Sequence, residues 1–329
     1  MDCDDLRRPP FGPPVPGGAP RTVVNAMTID VEDYFQVSAF EDRVCRTEWH
    51  TFNSRVCRNT DRLLEIFDEA RLLGTFFVLG WVAERFPDLV RRIAAAGHEV
   101  ASHGYEHQLV YSLTPRQFRD DVRRAKAALE CAAGTAVLGY RAPSFSITNR
   151  SLWALDVLIE EGYAYDASIY PIHHDRYGIP DWPRHPHRVE RANGSLWEIP
   201  GSTTRWAGMN LPIGGGGYFR HFPYGWTRHG IRRLNETEGR PAIFYLHPWE
   251  IDPEQPRVAS TGLTRMRHYW NLDKTETRLR RLLADFNFGR ITEILQNLQT
   301  ATAWGPRDSV HRALRTSAQM SSKRVTFDS

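Results

Sequence analysis

The chain has 329 residues, of which 41% are hydrophobic and 25% are charged, so it can bury a sizeable core in one large domain or two smaller ones. The formal net charge of +3 does not provide the basic surface on which nucleic-acid binding depends. The longest apolar stretch, residues 72–83, is interrupted by glycines and falls short of the ~20 residues that span a bilayer, which excludes stable membrane insertion.

Both ends of the chain differ in composition from its centre. Residues 1–20 are rich in proline and glycine and lack the apolar run of a secretory signal, whereas residues 300–329 are polar and rich in arginine and serine. We predict a disordered leader at 1–20, a domain over 21–299, a flexible tail at 300–329 and a cytoplasmic location. The four cysteines show no CxxC spacing and are expected to be reduced thiols.

Between these ends, short apolar runs alternate with amphipathic stretches. The apolar runs predict strands at 23–29, 75–79, 99–102, 138–140, 196–199 and 242–246. The amphipathic stretches predict helices at 60–71, 88–96, 115–131, 149–161, 224–235 and 275–285, the third of which follows a capping box at Thr114–Gln117. This alternation predicts an α/β fold with a parallel sheet, in which polar residues after the strands share one edge.

Acidic and histidine residues follow two of these strands. Asp30, Glu32 and Asp33 end the first, and His103 and His107 come after the third. Carboxylate and neutral imidazole are ligands of catalytic zinc, and a spacing of four residues aims both rings at one ion if the backbone turns helically. A second carboxylate could then take a proton from water. Two structural alternatives stay open: an exposed acidic turn, and a polar loop whose histidines bond to the backbone.

Three further polar residues lie after later strands. Arg141 can bind a carboxylate through two donors, which would orient Asp30 and keep it ionised, although a purely structural ion pair is an alternative. His247, if held by Asp166, would stay protonated near neutral pH and could donate a proton to a leaving amine. Other acidic residues could be the partner of this histidine: Glu198, Glu250, Asp252 and Asp175.

Two segments are assigned to loops. Residues 214–217 are four consecutive glycines without the spacing and lysine of a phosphate-binding loop, so we predict a flexible or tightly turned loop beside the active site. A proline-rich segment holds further histidines, which we assign to a substrate loop or the surface: His173, His174, His185 and His187.

In combination, these motifs resemble the polysaccharide deacetylase family, also called the NodB-homology or carbohydrate esterase family four group. Five family motifs fall in order on Asp30–Asp33, His103 with His107, Arg141–Pro143, Asp166 and Leu246–Pro248. The resemblance covers roughly residues 22–290. It implies a distorted (β/α) barrel of the NodB-homology type and metal-dependent removal of acetyl groups from N-acetylated sugars.

Further segments resemble the subfamily associated with exosortase and exopolysaccharide gene clusters. They are residues 30–35, 214–219, 268–273 and 286–289. This resemblance implies that the domain over 21–299 includes a C-terminal subfamily extension from about residue 250.

The resemblance also implies roles for the acidic run and the histidines. Relatives with an Asp-x-Asp pattern use the first carboxylate as base and the second as ligand, so Asp30 would be the base and Glu32 the ligand, with Asp33 competing for that place. His103 and His107 would complete the site of a divalent metal, for which Zn²⁺ is the expected ion. The predicted catalytic group is therefore Asp30, Arg141, Asp166 and His247.

Substrate contacts are expected close to these motifs. A backbone N–H near Phe145 would stabilise the oxyanion. The predicted substrate-binding residues are Pro143, Phe145, Tyr218 and Trp249. Two further aromatic residues, Trp182 and Trp206, are candidate sugar platforms together with Tyr218 and Trp249, although each of the four could equally belong to the core.

The resulting hypothesis is a hydrolase that removes N-acetyl groups from an N-acetylated polysaccharide or oligosaccharide, in an exopolysaccharide or its precursor. One alternative is a hydrolase of a cyclic amide or a small acylated amine on the same fold. The other is a non-catalytic glycan-binding protein. The sequence leaves the polymer, the native metal and the oligomeric state open.

Overall fold

The computed structural model describes residues 23–302, with side chains up to residue 300. One compact unit comprises Pro20–Ile294. A second unit comprises Met1–Ala19 and Leu295–Ser329, and the structure describes only residues 295–302 of it, which belong to a helix. The predicted leader at 1–20 and almost all of the predicted tail at 300–329 lie outside the described residues. Within the described part, no helix is long and apolar enough to cross a membrane.

A mostly parallel sheet forms the centre of the larger unit. Its strands are β1 (Asn25–Val31), β2 (Thr75–Val78), β3 (Glu99–Ser102), β4 (Gly139–Tyr140), β5 (Tyr165–Asp166), β6 (His187–Arg191), β7 (Gly194–Glu198), β10 (Ile243–Leu246) and β11 (Phe288–Gly289). They lie in the order β10-β1-β2-β3-β4-β5-β7-β6, with β11 also paired to β1, and β6 is antiparallel to β7. A separate antiparallel hairpin consists of β8 (Thr203–Trp206) and β9 (Met209–Pro212).

Helices follow most of the strands, as expected for parallel β/α units. They are α1 (Val56–Glu69), α2 (Gly80–Arg85), α3 (Pro87–Ala95), α4 (Pro115–Ala133), α5 (Ala154–Glu160), α6 (Gly216–His221), α7 (Tyr224–Arg232), α8 (Gly262–Tyr269), α9 (Leu272–Asp285) and α10 (Ile291–Thr302). The capping box predicted for α4 is present, because Thr114 and Gln117 bond reciprocally through side chain and backbone. The helix ends at Gly134, whose φ of 67° is left-handed.

The strand register brings the polar residues to one edge of the sheet. Ile29 in β1 pairs with Leu246 in β10, immediately before His247. On the other side of β1, the last residues of neighbouring strands are also paired. These pairs are Val31–Val78 (β1–β2), Val78–Ser102 (β2–β3), Tyr140–Asp166 (β4–β5) and Asp166–Glu198 (β5–β7). Because these strands are parallel, the side chains that follow them meet at the same carboxyl edge.

The glycine loop before α6 is tightly turned against β10. A Cβ atom at Gly215, whose φ is 112°, would lie 1.9 Å from the backbone oxygen of Tyr245. A Cβ atom at Gly216 would lie 2.6 Å from the Tyr245 ring. Only glycine fits so close to another backbone in this conformation, so the loop fixes the start of α6 relative to β10.

The predicted strands and the larger helices are present with shifted ends, and several short elements were not predicted. These additional elements are α2, α6, α8, β5, β6, the β8–β9 hairpin, β11 and α10. Most of them have only two to eight residues, which is too few to show a clear hydrophobic period. In addition, α7 continues as a π-helical turn at Arg233–Thr237.

Candidate active site

One side of the site contains a buried ion pair between Asp30 in β1 and Arg141 in the loop after β4. Asp30 Oδ1 accepts a hydrogen bond of 2.6 Å from Arg141 Nη1, and the same nitrogen donates to Thr28 Oγ1 at 2.8 Å. Arg141 Nε donates to the backbone oxygen of Ala167 at 3.2 Å. One nitrogen therefore reaches the carboxylate, not the two that were predicted, while Nε is bonded to the backbone after β5. The Oδ2 atom of Asp30 remains directed toward His247, 3.9 Å from its Nε2.

The carboxylate of Asp33 does not lie with the histidines, as predicted for a metal ligand, but bonds to the start of α1. Its Oδ2 accepts hydrogen bonds from Ser54 Oγ at 2.6 Å and from the backbone nitrogens of Arg55 at 2.8 Å and Val56 at 3.1 Å. It thus satisfies orphan N–H groups at the start of α1 and places negative charge at the positive end of that helix. As a correction to the prediction, the carboxylate of Asp33 is directed to a helix N-terminus, and Glu32 is the acidic neighbour of the histidines.

The two histidines meet through a non-helical loop. His103 directly follows β3, Gly104 has a φ of 75°, and His107 itself has a left-handed φ of 52°. The loop is held by the backbone of Gly80 and Trp81, which donate to Gly104 and Tyr105 at 2.9 and 3.0 Å. The backbone between the two histidines does not turn helically, yet their rings lie only 5.5 Å apart between centroids.

These histidines and Glu32 form a group suited to a divalent cation. One ligand atom from each of Glu32, His103 and His107 lies within 4.8 Å of the others, and all three residues are buried. Glu32 Oε2 is 2.7 Å from His107 Nε2, and His103 Nδ1 lies 2.9 Å from the backbone oxygen of Arg141, which orients its ring. Two imidazoles and a carboxylate match the ligands of a catalytic zinc ion with an open position.

Burial and charge favour the ligand forms of two of these groups. Burial lowers the pKa of His103 to about 4, so its imidazole is neutral at neutral pH. Burial pushes the pKa of Glu32 upward, but the nearby charge and hydrogen bond of His107, together with His247 and His103, outweigh it and hold that pKa at about 2. The donors are thus a neutral imidazole and an ionised carboxylate, as metal ligation requires.

The opposite arm of the site is His247, which follows β10. Its Nε2 lies 3.9 Å from Asp30 Oδ2 and 3.7 Å from Glu32 Oε1, while its Nδ1 is 2.7 Å from Glu250 Oε1. Burial lowers the pKa of His247, but the hydrogen bond and charge of Glu250, followed by Glu32 and Asp30, raise it to about 9. The imidazole is therefore protonated at neutral pH and faces the carboxylates of Asp30 and Glu32.

Asp166 is not the partner of His247 among the residues described, which corrects that prediction. Its carboxylate accepts a hydrogen bond from Ser168, whose Oγ accepts from the backbone nitrogen of Ala142 at 2.7 Å. Burial raises the pKa of Asp166 to about 6 and that of the adjacent Glu198 well above its ordinary range. The two carboxyls are buried next to each other, and Asp166 supports, through Ser168, the segment that carries Arg141.

A cleft of about 270 Å³ opens onto these groups. Its floor contains Asp30, Glu32, His107 and His247. Residues from later segments also line it: His174, Arg176, Tyr177, Arg220, Tyr245, Trp249, Thr264, Arg267 and His268. His174 thus lines the cleft, and its assignment to a substrate loop stays a prediction.

Only two of the four predicted substrate-binding residues line the cleft. Phe145 and Trp249 line the cleft, whereas Pro143 and Tyr218 are not among its lining residues within 23–302. Trp249 is only 5% exposed, and its Nε1 donates to Glu32 Oε1 at 3.2 Å, so it orients a candidate ligand and offers little open surface to a sugar. Tyr218 bonds through its hydroxyl to the hydroxyl of Tyr177 at 2.9 Å.

The other two tryptophans proposed as platforms lie elsewhere. Trp182 packs against the main hydrophobic core, and Trp206 is 64% exposed in the β8–β9 hairpin. Neither is among the described residues of the cleft lining. The N–H of Phe145 itself donates to the backbone oxygen of Ala142 at 3.0 Å, and the oxyanion donor near Phe145 stays a prediction.

Two buried residues that complete the site were not singled out from the sequence. In the sequence Glu250 is one of several possible partners of His247, and no motif includes Arg220, which donates through Nε to Glu250 Oε2 at 2.5 Å. Glu250 lies three residues after His247 in a 3₁₀ turn, Pro248–Ile251, so the short spacing was the available signal. Arg220 has no local signal, because α6 reaches Glu250 across 30 positions of sequence.

The fold and the site together define an α/β protein with a candidate catalytic metal centre at the carboxyl edge of a parallel sheet. Residues 41–162 match the family model described as polysaccharide deacetylase. Residues 167–296 match a model described as a domain of unknown function, DUF3473. Residues 41–162 are thus similar to polysaccharide deacetylases, the family that the motifs resemble.

Relatives of this domain are named deacetylases. The peptidoglycan deacetylase of Helicobacter pylori is 32% identical over 114 residues, which are 35% of this chain and 37% of that protein. The chitooligosaccharide deacetylase of a Bradyrhizobium species is 31% identical over 111 residues, which are 34% of this chain and 48% of that protein. The chain thus matches less than half the length of each of these relatives.

Solved structures confirm the predicted fold class. A Mycobacterium smegmatis protein assigned to the polysaccharide deacetylases superposes with a TM-score of 0.56 at 24% identity, covering 91% of this chain and 98% of that chain. The PuuE allantoinase superposes with a TM-score of 0.56 at 15% identity, covering 86% of this chain and 92% of that chain. The architecture is therefore the (β/α)-barrel-like fold of these proteins.

Proposed function

We propose that this protein is a metal-dependent hydrolase that removes N-acetyl groups from an N-acetylated glycan, in an exopolysaccharide or its precursor. The observation that carries the proposal is the convergence of a carboxylate, a candidate ligand group and a protonated imidazole on one cleft. Asp30 comes from β1, His103 and His107 come from the loop after β3, and His247 follows β10. The names of the relatives and the match to the deacetylase family model support the reaction class.

Each side chain has a separate part in the proposed hydrolysis. Asp30, held by Arg141, takes a proton from the attacking water as the water oxygen bonds to the acetyl carbon. The C–N bond then breaks while His247 gives its proton to the departing nitrogen, and the products are acetate and the free sugar amine. Asp30 Oδ2 and His247 Nε2 lie 3.9 Å apart, which supports action of both side chains on the same bound acetyl group.

The ligand group explains why the proposed reaction depends on a metal. Glu32, His103 and His107 would hold the cation, for which Zn²⁺ fits the donor set best. When bound there, the cation supplies Lewis acidity toward water and the acetyl carbonyl. Trp249 donates to Glu32 and the backbone oxygen of Arg141 bonds to His103, so these two buried donors are oriented by their neighbours.

Acetate release from a panel of glycans tests this proposal. Purified protein is incubated with N-acetylated oligosaccharides and exopolysaccharide fragments, before and after chelation and again after Zn²⁺ is restored. We expect acetate release that chelation abolishes and Zn²⁺ recovers. Glycan binding without acetate release would favour a non-catalytic binding protein, and turnover restricted to cyclic imides or small acylated amines would favour the alternative hydrolase.

Two variants separate the proposed roles. Asp30→Asn should keep the cation and lose activity by about 10²–10⁴-fold, because a general base is removed. His103→Ala should lose both cation and activity, because a ligand is removed. Full activity in Asp30→Asn, or an unchanged metal content in His103→Ala, would contradict the respective role.

A further inference from the structure

Behind His247 lies a buried pair of opposite charges that belongs to the second half of the chain. Glu250 is fully buried, and its two carboxylate oxygens have different partners: Oε1 lies 2.7 Å from His247 Nδ1, and Oε2 accepts from Arg220 Nε at 2.5 Å. Oε1 also accepts from the backbone nitrogen of His247 at 3.1 Å. The imidazole is thus joined to an arginine through one carboxylate.

Arg220 is itself fixed by groups around it. Its Nη1 donates to the backbone oxygens of His268 at 2.7 Å and Trp270 at 3.1 Å, and its guanidinium carbon lies 5.2 Å from the centroid of the Trp249 ring. Arg220 is only 2% exposed. It is carried by α6, whose start is set by the glycine loop packed against Tyr245. The arginine therefore has little freedom to leave the carboxylate.

This arrangement fixes the orientation of the His247 ring. With Nδ1 committed to Glu250, Nε2 is the nitrogen that faces the cleft, 3.9 Å from Asp30 Oδ2 and 3.7 Å from Glu32 Oε1. A carboxylate on Nδ1–H selects the tautomer and stabilises the imidazolium. The guanidinium on the second oxygen holds the Glu250 carboxylate in place, so Oε1 stays bonded to Nδ1 and Nε2 stays turned toward the cleft.

We propose that Glu250 and Arg220 are positioning residues that hold His247 as the proton donor to the departing sugar amine. This inference rests on the proposed deacetylase function. It also gives a role to the region of unknown function at residues 167–296, which contains all three residues. That region completes the site begun by β1 and β3, and Glu250 takes the position beside the histidine that the sequence motifs had suggested for Asp166.

Two substrates that differ in their leaving group test the proposal. An N-acetylated oligosaccharide releases an amine, which must be protonated as it departs, whereas 4-nitrophenyl acetate releases a phenolate, which leaves without a proton. For Glu250→Ala we expect kcat on the oligosaccharide to fall about 100-fold with little change in KM. On 4-nitrophenyl acetate we expect kcat to change by less than about threefold, since the general acid is not needed there.

Conservative variants and a matched control complete the design. Glu250→Gln retains an oxygen acceptor for Nδ1–H and should recover part of the lost oligosaccharide activity. Arg220→Lys keeps a positive charge near Glu250 and should show the same substrate selectivity in a milder form. Glu254→Gln, an exposed position four residues along, should behave as the unchanged enzyme on both substrates. Urea unfolding and metal content are measured for every variant, and a variant that does not fold is replaced by the conservative one.

The outcomes separate this inference from the function on which it rests. If the unchanged enzyme releases acetate and Glu250→Ala or Glu250→Gln loses activity equally on both substrates, Glu250 has a general structural role and the inference is wrong. Undiminished oligosaccharide activity in those variants would refute it as well. If the unchanged enzyme releases no acetate from any glycan, the proposed function itself fails.

Discussion

Replacing Asp33 should weaken the fold and leave the metal in place. Three donors converge on its Oδ2, two of them backbone N–H groups at the start of α1, and the residue is 1% exposed. Loss of a helix cap costs about 0.5–2 kcal/mol, and hydrogen bonds to a charged acceptor contribute about 1.5–3 kcal/mol. For Asp33→Ala we therefore expect the free energy of unfolding to fall by about 2–3 kcal/mol, and for Asp33→Asn, which keeps an acceptor, by about 1 kcal/mol.

Urea unfolding and metal analysis of three variants provide the measurement. Glu32→Ala should show the opposite pattern to Asp33→Ala: loss of the bound cation and activity, with a smaller change in unfolding free energy. Asp33→Asn serves as the matched variant, since it changes charge but little volume. The reasoning would be refuted if Asp33→Ala lost its cation while its stability stayed unchanged, because Asp33 would then be a ligand and not a cap.

Three further predictions concern burial, pH and backbone conformation. Arg141→Gln leaves Asp30 buried without its counter-charge, so urea unfolding should show a loss of about 3–5 kcal/mol, and unchanged stability would speak against the buried pair. Burial lowers the pKa of His98 to about 4, below its value of about 6.5 in an unfolded chain. The neutral form of His98 is thus favoured in the folded state. Its burial contributes about 3 kcal/mol to the free energy of unfolding above pH about 6.5, and this contribution is lost as the pH falls toward about 4, because the unfolded chain is protonated first. His98→Asn should remove this part of the pH dependence in urea unfolding, and an identical pH dependence would count against it. Gly215→Ala should lower the free energy of unfolding by more than about 2 kcal/mol, or displace α6 and lower kcat. Gly217→Ala should be tolerated, because the nearest atom to a Cβ there is 3.8 Å away. Equal effects in the two variants would contradict the tight turn.

Local sequence signals were sufficient for the layout of the fold and for the edge where the site lies. The apolar runs located β1, β2, β3 and β10, and parallel pairing of these strands brings the residues after them together. The capping box at Thr114 was equally readable, because both partners lie within one turn of α4. Strand patterns and helix caps can be predicted from the sequence because the residues that determine them are close together along the chain.

Contacts made across the chain could not be read in the same way. Asp33 caps α1 from more than twenty positions away, which is why that helix begins at Val56, earlier than its apolar pattern suggested. The partner of His247 depended on where β5 placed Asp166 and on the turn that brings Glu250 back to the ring. The spacing of His103 and His107 indicated two ligands, but the left-handed backbone at His107 is set by the packing of the loop.

A crystal structure of the protein soaked with Zn²⁺, with anomalous data collected at the zinc edge, tests the central claim most directly. We predict one strong anomalous peak bound by Glu32, His103 and His107, with Asp30 and His247 on either side of the open position. A peak bound by other side chains, or imidazoles of His103 and His107 directed away from Glu32 with no ion between them, would contradict the account.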